Sequence, residues 1–342
     1  MIDHPRVSVL MPVYNGELFI REAVESILTQ SFQAFELIVI DDGSTDNSAT
    51  ILTEYQQADD RIQLFCQPKN QGVVATLNHG MQLVRGDYLA RMDADDLSLP
   101  DRITQQVHVL DADPALVIIG SAYELIGPQG EFLHIDRYPA HDTSIRWQML
   151  FHNSFAQSSV MVRMATLRRN NLSYNTQLFL DEDYDLWSRL LKFGKGANYE
   201  SPLIKHRQHP AQLTQVYPTM VSEIGDQISQ QNLKKINITL SLDEVRTLRD
   251  WYYKFPSRVN QADLKFCRFL IQILLAFCTE PGLDAKIVSR IRSRWVLHML
   301  VSTPLRLWKD LWVMGLPRLA RPSDILTMLQ LAFGHLLRSS KD

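Results

Sequence analysis

Three carboxylates crowd into four positions of the segment RMDADD, where Asp93, Asp95 and Asp96 follow an apolar stretch. Residues two apart in an extended segment point to the same side, so Asp93 and Asp95 could face one ligand while Ala94 points away. Hard cations such as Mg²⁺ or Mn²⁺ are usually held by few protein carboxylates plus phosphate oxygens. The spacing therefore suggests a divalent ion shared with a diphosphate. The alternative is a solvated acidic turn in which Asp96 or Ser98 caps the next helix.

A second acidic pair opens the segment DDGSTD, where Asp41 and Asp42 precede Gly43. The glycine permits a turn, and the three residues after it can cap a helix. Capping does not require two carboxylates before the glycine. An acceptor at this position could bind the imide N–H of a uracil base, and we favour Asp42 for that contact.

The elements that position these groups alternate between strand and helix over roughly the first 120 residues. Strands are predicted by RVSVLMPV, FELIVIDD and LVRGDYLARMD, and helices by FIREAVESILTQ and ATLNHGMQLVR. This order indicates a parallel sheet covered by helices, whose ligands bind at the carboxyl ends of the strands. All three predicted strands end in polar loops, so one nucleotide-sized site could gather them. No GxGxxG follows a strand, which removes the main support for a dinucleotide-binding dehydrogenase.

Composition limits the class of protein further. A chain of 342 residues with 45% hydrophobic and 21% charged residues is globular, with either two domains or one large domain and an appendage. Its three cysteines lack close paired spacing, so we expect neither disulfides nor a CxxC zinc site, and a reducing cytosolic compartment. The start lacks a signal-peptide pattern, and the most apolar window, residues 269–278, is shorter than the roughly 20 residues that span a bilayer.

Five segments in a fixed order resemble the glycosyltransferase family 2 enzymes of the GT-A fold: VSVLMPVYNG, DDGSTD, NQGVVATLNHG, GDYLARMDADD and LDEDYDLWSRLLKFG. The resemblance covers residues 5–215. It implies a Rossmann-like mixed α/β sheet flanked by helices, in a catalytic domain at residues 1–218 before a helical region at 219–342. It also implies transfer of a sugar from a nucleotide-diphosphate sugar to an acceptor hydroxyl, with inversion at the anomeric carbon. We favour UDP as the nucleotide and leave GDP and dTDP open.

The resemblance also implies site residues by their positions in the motifs. Asp183 matches the general base, although an acidic helix start that interacts with the helix dipole is the alternative from the residues alone. A Mn²⁺ or Mg²⁺ ion is expected on Asp93 and Asp95, with His209 as a third ligand and His206 less favoured. Gln157 stands where family members commonly have histidine, which leaves the role of its loop open. The residues expected to bind the nucleotide sugar are Pro12, Val13, Tyr14, Asn15, Asp42, Asn70, Gly72, Asp93, Ala94 and Asp95. Tyr14 could stack on the base or simply pack.

The motifs stop near Pro218, and the rest of the chain is helical in pattern. Residues 288–342 carry nine Lys and Arg against three Asp, a local net charge of +6. Between Arg290 and Arg321, Arg, Trp and Leu interleave at helical spacing, as in an interfacial membrane helix. The alternative is a helical subdomain that packs on the catalytic domain or on a second protomer. Peripheral membrane contact at the inner face and a homo-oligomer therefore both stay open.

Together with the cysteine usage, this resemblance implies a cytoplasmic, inverting, metal-dependent glycosyltransferase. We expect a saccharide or lipid-linked acceptor in cell-surface polysaccharide or glycoconjugate synthesis, and no nucleic-acid partner. One alternative is a nucleotidyltransferase that makes nucleotide sugars, but such enzymes usually carry a glycine-rich, Arg- or Lys-bearing N-terminal loop that PVYNGELF does not match. Another is a non-catalytic binder of nucleotide sugars, against which the intact acidic motifs argue. The sequence identifies neither the sugar nor the linkage.

Overall fold

The computed structural model of the protein describes residues 4–253, 260 and 263–320. The strands are β1 (Val7–Val13), β2 (Phe35–Asp41), β3 (Ile62–Cys66), β4 (Tyr88–Arg91), β5 (Leu97–Ser98), β6 (Leu116–Ile126), β7 (Phe132–Asp136), β8 (Met161–Arg163) and β9 (Lys195–Arg207). The helices are α1 (Ile20–Leu28), α2 (Ser48–Ala58), α3 (Val73–Leu83), α4 (Arg102–Ala112), α5 (Asp142–Gln148), α6 (Met164–Arg169), α7 (Glu182–Leu190), α8 (Leu213–Val216), α9 (Pro218–Lys235), α10 (Leu242–Tyr253), α11 (Leu264–Phe277), α12 (Ala285–Ser302) and α13 (Trp308–Val313).

Two compact units share these elements. The first comprises the described residues up to Ile145 together with Asn153–Gly225, and the second comprises Arg146–His152 and the described residues from Asp226 onward. The short segment Arg146–His152 thus belongs with residues far along the chain. The domain boundary expected after residue 218 stays a prediction.

The first unit is built on a mixed sheet with the strand order β3-β2-β1-β4-β8-β6-β9-β5, and β7 pairs with β6. Neighbours in the β3-β2-β1-β4 half are parallel, whereas β8 is antiparallel to both β4 and β6. All seven positions of β2 are buried, as expected for a parallel strand covered on both faces. The predicted α/β sheet flanked by helices is confirmed.

Strand β3 is missing from the strands that the sequence indicated. It lies at one edge of the sheet, parallel to β2, and among its five residues only Ile62 is buried. An edge strand with this little burial has neither an apolar run nor a clear alternation, which are the signals by which strands are recognised. Its absence from the prediction therefore has a physical cause.

The loops after β1 and β2 lie side by side because the two strands are paired along their whole length, with Val13 opposite Asp41. The side-chain Oδ1 of Asn15 accepts a hydrogen bond from the backbone N–H of Thr45 at 2.8 Å, and the hydroxyl of Ser48 accepts one from Gly16 N–H at 2.8 Å. The loops after β1 and β2 are thereby joined at the carboxyl ends of their strands.

Gly43 allows a third loop, residues 69–72, to approach the loop that follows β2. Its φ is +70°, and a Cβ at this position would lie 2.6 Å from the carbonyl carbon of Lys69 and 2.8 Å from the backbone N of Asn70. A side chain here would thus meet strain in φ and overlap with backbone, which cannot rotate away. The turn predicted at Gly43 is confirmed, and the backbone of the 69–72 loop packs directly against it.

Helix α7 carries the third acidic motif. Trp187 and Leu190 are fully buried and form its core-facing side. The residue before the helix, Asp181, has a left-handed φ of 53°. The preceding loop is anchored because Asn78 exchanges two hydrogen bonds with the backbone of Tyr174, at 2.9 and 3.0 Å.

The second unit is helical and has its own apolar core. In it, Phe151 stacks on Tyr252 with ring centroids 4.2 Å apart, and Trp147 contacts Phe277 edge-on. The expected helical C-terminal region is confirmed as far as residue 320, and the last helical pattern, ILTMLQLAFGHLLRSS, lies outside the described residues. Over the described ranges, every helix is too short or too polar to cross a bilayer.

We predict that Gly43→Ala destabilises the first unit more than Gly130→Ala does. Gly130 also has a positive φ, +84°, but a Cβ added there would lie 3.9 Å from its nearest neighbouring atom. The control should cost about 1 kcal/mol from backbone strain, and Gly43→Ala a further 1–3 kcal/mol, roughly, from overlap with backbone. Urea unfolding followed by fluorescence measures both. Equal losses would show that the 69–70 loop moves aside freely.

Candidate active site

In the DAD segment, residues 93–95, the first acid is Asp93. Two side chains hold its carboxylate. Its Oδ1 accepts a hydrogen bond from Nη2 of Arg91 at 2.6 Å, and its Oδ2 accepts one from the hydroxyl of Ser158 at 2.7 Å. Arg91 is 1% exposed and also donates to the carbonyl oxygen of Leu10 at 2.6 Å. The acid is therefore neutralised by a buried cation of the protein itself. Sequence reasoning missed Arg91, although a lone arginine within the apolar run YLARM was a usable signal.

Asp95 meets His209, which lies 114 positions later in the chain. Nε2 of His209 is 3.0 Å from Oδ2 of Asp95, and the imidazole ring packs against Phe19 with centroids 4.9 Å apart. A carboxylate oxygen and an imidazole nitrogen are suitable donors for Mn²⁺. Among the residues that the structure describes, no three His, Cys, Asp or Glu side chains form a ready-made metal site. Since such ions keep phosphate and water ligands, Asp95 and His209 with a diphosphate nevertheless fit one.

Asp96 does not cap the next helix, and neither does Ser98. Asp96 is fully buried and accepts hydrogen bonds from the backbone N–H of Arg207 at 2.8 Å and from Nδ1 of His206 at 3.1 Å. Ser98 lies in β5, and α4 begins only at Arg102. The alternative in which Asp96 or Ser98 caps α4 is therefore wrong, because Asp96 binds the end of β9 and Ser98 belongs to β5.

His206 is partly exposed and faces the buried Asp96 as an acid–base pair. Burial lowers the pKa of His206, but the charge of Asp96 and its hydrogen bond outweigh this and raise that pKa to about 9. Burial raises the pKa of Asp96. His206 thus serves as a partner of Asp96, whereas His209 is the histidine that reaches the DAD segment.

Arg207 completes the attachment of β9 to the acidic loop. Its side chain is 2% exposed, with Nε donating to the carbonyl oxygen of Asp95 at 3.0 Å and Nη2 to Glu22 at 2.6 Å. Its guanidinium also lies over the ring of Phe19, 4.7 Å from the centroid. These contacts fix where the strand ends and hence where His209 lies.

The residues predicted to bind the nucleoside line the joined loops. Tyr14 is 50% exposed, so its ring does not belong to the core, whereas Val13 is buried and its carbonyl oxygen accepts from Asp42 N–H at 2.8 Å. The carboxylate of Asp42 accepts from the backbone N–H groups of Gln71 at 2.8 Å and Gly72 at 2.9 Å. Asp42 therefore holds the 70–72 loop, and each oxygen keeps a second lone pair for a ligand.

The remaining nucleoside candidates take part in the same loops. Asn70 Oδ1 accepts a hydrogen bond from Gly72 N–H at 2.9 Å, and Gly72, with a φ of 90°, immediately precedes α3. Pro12 is partly buried within β1, and Ala94 is partly buried between the two acids of the DAD segment. These residues lie at the carboxyl ends of the parallel strands or in the loops that follow them. Their contacts with a nucleotide stay predictions.

Asp183 and Glu182 form the first turn of α7. Asp183 accepts a hydrogen bond from Nδ2 of Asn153 at 2.8 Å. Burial raises the pKa of Asp183 well above its usual range, and the charges of Glu182 and Asp181 raise it further. Burial also raises the pKa of Glu182, to about 7. An acid in this environment is a stronger base than an exposed aspartate.

One short segment, residues 153–158, touches all three of these acids. Asn153 donates to Asp183, Gln157 donates through Nε2 to Oε1 of Glu182 at 3.2 Å, and Ser158 donates to Asp93. The partners are 25 to 65 positions away in sequence. The resemblance pointed to the loop that carries Gln157, but its contacts with these acids join residues too far apart for local spacing to predict.

The chain is similar to known glycosyltransferases. The profile described as Glycosyl transferase family 2 matches residues 8–172. An uncharacterised glycosyltransferase of Haemophilus influenzae is 33% identical over 265 residues, which covers 74% of this chain and 82% of the relative. A crystal structure of S. aureus TarS 1-349 in complex with UDP-GlcNAc shares the fold at 16% identity, with a TM-score of 0.56 over 86% of this chain and 87% of that one.

A second solved structure extends the likeness in fold. The mannosyltransferase PcManGT from Pyrobaculum calidifontis, in complex with GDP-Man and Mn²⁺, is 16% identical, with a TM-score of 0.51 over 91% of this chain and 85% of that one. These two likenesses establish the GT-A fold. Together with the sequence relative and the matching profile, they lead to one assignment: the chain is a glycosyltransferase and belongs to glycosyltransferase family 2.

Proposed function

We propose that the protein is an inverting, metal-dependent enzyme that moves a sugar from a nucleoside-diphosphate sugar to a hydroxyl group of a saccharide or lipid-linked acceptor. The observation that carries this proposal is the 153–158 segment, which holds Asp183 through Asn153 and Asp93 through Ser158. A base and a diphosphate-side acid fixed by the same short segment suit a single displacement across one anomeric carbon. The setting of such a reaction is cell-surface polysaccharide or glycoconjugate synthesis.

Asp183 is the general base in this mechanism. It takes the proton of the acceptor hydroxyl while the oxygen forms a bond to the anomeric carbon and the bond from that carbon to the diphosphate oxygen breaks. Its raised pKa supports the role, because a more basic carboxylate draws the proton more strongly. The amide of Asn153 donates to Oδ2, which orients the carboxylate and leaves lone pairs for the hydroxyl.

The donor side is formed by the loops at the carboxyl ends of β1, β2 and β4. We assign the nucleoside to Pro12, Val13, Tyr14, Asn15, Asp42, Asn70 and Gly72, and the diphosphate to Asp93, Ala94 and Asp95. The exposed ring of Tyr14 supports stacking on a base. UDP remains the favoured nucleotide. The two structural neighbours hold UDP-GlcNAc and GDP-Man, so the fold accepts more than one nucleotide.

Asp95 and His209 would hold the divalent ion, with Asp93 beside them. Such an ion, Mn²⁺ or Mg²⁺, supplies positive charge that stabilises the departing diphosphate. Asp93 already accepts hydrogen bonds at both oxygens, so we give it a smaller share in metal binding than Asp95. Arg91 and Ser158 keep the Asp93 carboxylate oriented toward the donor side.

The second unit supports peripheral membrane contact from the cytoplasmic side, where a lipid-linked acceptor would be met. On α13, Trp312 is 51% and Val313 87% exposed, and the exposed Lys309 lies on the same helix. Exposed apolar side chains beside basic ones are typical of helices that lie in the interface of an anionic bilayer. The local net charge of the C-terminal part agrees with this arrangement.

We predict that Asp183→Asn abolishes transfer but leaves donor binding intact. The substitution keeps the shape of the side chain and removes its basicity, so release of nucleoside diphosphate from a panel of nucleotide sugars should fall by about 10²–10⁴-fold. Donor binding by calorimetry should change little. Asp250→Asn, at an exposed position of α10, is the control and should be unaffected. Wild-type turnover by Asp183→Asn would remove it as the base.

We predict that EDTA stops turnover and that added Mn²⁺ or Mg²⁺ restores it. His209→Ala and Asp95→Asn should each raise the Mn²⁺ concentration required for half-maximal activity by about 10-fold or more, because each removes a ligand of the ion. A titration of activity with Mn²⁺ measures this. Full activity in EDTA would contradict the metal assignment, whereas an unchanged Mn²⁺ requirement in His209→Ala would contradict the role of His209 alone.

We predict that the full chain sediments with vesicles of phosphatidylglycerol at low salt and much less with neutral phosphatidylcholine vesicles. Trp312→Ala should weaken this binding, because the variant lacks the indole ring that would insert between the lipid headgroups. Leu18→Ala, at an exposed apolar position of the first unit, is the control. Equal behaviour on both lipids would argue against contact with an anionic surface.

A further inference from the structure

Gln157 makes a contact that the mechanism above does not use. It lies in the turn Gln157–Ser159, and its Nε2 donates to Oε1 of Glu182 at 3.2 Å. Its own Oε1 is buried, without a hydrogen-bond partner in the part of the chain that the structure describes. Glu182 is 8% exposed and precedes Asp183. The carboxamide of Gln157 thus binds Glu182, the residue next to the proposed base.

The charge on Glu182 acts directly on Asp183. A negative charge at Glu182 raises the pKa of Asp183, and so does that of Asp181, while the hydrogen bonds from Tyr184 N–H and Asn153 lower it. Around Glu182, the positive charge of Arg91 lowers its pKa, and the negative charges of Asp93 and Asp181 raise it. An N–H donor favours the ionised carboxylate, since hydrogen bonds to charged acceptors are the stronger ones.

We propose that Gln157 is a positioning residue for the base: it holds Glu182 as an ionised hydrogen-bond acceptor and so keeps a negative charge beside Asp183. This inference rests on the proposed function, because it requires Asp183 to be the base. The negative neighbour makes Asp183 a stronger acceptor for the proton of the incoming hydroxyl. Gln157 therefore acts on the reaction through Glu182 and does not itself need to touch the substrate.

The residue type at this position matters for the same reason. A protonated histidine here would cancel the charge of Glu182, whereas a carboxamide donates a hydrogen bond and stays neutral. Glutamine thus preserves the full effect of Glu182 on Asp183. A leucine would remove the donor, and a glutamate would replace it with a carboxyl group of nearly the same shape.

The pH dependence of donor hydrolysis distinguishes these cases. Hydrolysis, with water as acceptor, is followed for the nucleotide sugar that the wild-type protein cleaves fastest, with saturating Mn²⁺. Turnover requires ionised Asp183, so it falls as the pH drops through the pKa of that group. In Gln157→Leu, Glu182 takes up a proton more readily and its charge is lost, so the acidic limb should move down by about one pH unit.

Gln157→Glu should leave the acidic limb at or above its wild-type position. If the new carboxyl is protonated, its O–H donates to Glu182 in place of the amide, and if it is ionised, it adds negative charge; neither form removes the charge beside Asp183. Gln57→Leu, at an exposed position of α2, is the control and should keep the wild-type profile. Binding of the nucleoside diphosphate released from the chosen donor, in the presence of Mn²⁺, checks that each variant retains its donor site.

A downward shift in Gln157→Leu without one in Gln157→Glu supports the proposal. An unchanged limb in Gln157→Leu, or a downward shift in both variants, overturns it, since loss of packing alone does not distinguish the two variants in this way. Should Gln157→Leu fail to fold, Gln157→Met, which also lacks a donor and is close in length to glutamine, replaces it: a downward shift supports the role and an unchanged limb contradicts it. The proposed function is judged separately, because turnover by Asp183→Asn would refute the base whatever the Gln157 variants do.

Discussion

A buried guanidinium makes the acidic site possible. Arg91 ends a central strand, is almost inaccessible to water, and donates to the backbone oxygen of Leu10 on the neighbouring strand as well as to Asp93. An unpaired buried charge of either sign would be costly, so the cation and the acids stabilise one another. Its field also reaches Glu182, whose pKa it lowers. If this cation were absent, the carboxylates of the DAD segment and of α7 would repel one another strongly.

A second buried arginine supports the first. Arg102, at the start of α4, donates to the carbonyl oxygen of Arg91 at 2.7 Å and to that of Val160 at 3.3 Å. Burial, and then the charge of Arg91, lowers its pKa to about 9. Two cations so close together in the interior tie strand β4 to the segment before β8. The position of the 153–158 segment, and with it Asn153, Gln157 and Ser158, therefore depends on the same interior network.

Much of the fold and part of the site were accessible from the sequence, for identifiable reasons. Strands β1 and β2, and the helices between the strands, carry strong periodic patterns, and paired parallel strands must bring their carboxyl ends together. Asp93, Asp95 and Asp183 stand in motifs with fixed spacing. The edge strand β3 has too little burial to produce a pattern, and the true role of Asp96 depends on β9, more than 100 positions away.

Long-range partners account for the rest of what the sequence left out. Asn153, Ser158 and Arg207 each act on a residue distant in the chain, and local spacing does not predict such a contact. Gln157 was visible as a departure from the family pattern, but its meaning required the position of Glu182. The periodicity of the sequence predicts the helices and strands, whereas hydrogen bonds between these elements determine the role of each acid.

The hydrogen bonds of Asp42 have a thermodynamic consequence. Its carboxylate fixes the backbone of Gln71 and Gly72, while Asn15 and Ser48 join the loops after β1 and β2. Hydrogen bonds between the loops reduce their conformational freedom, so little of the binding free energy of the proposed donor would go into ordering them. In the proposed reaction, the rest would remain for interactions that strengthen in the transition state, and hence for rate.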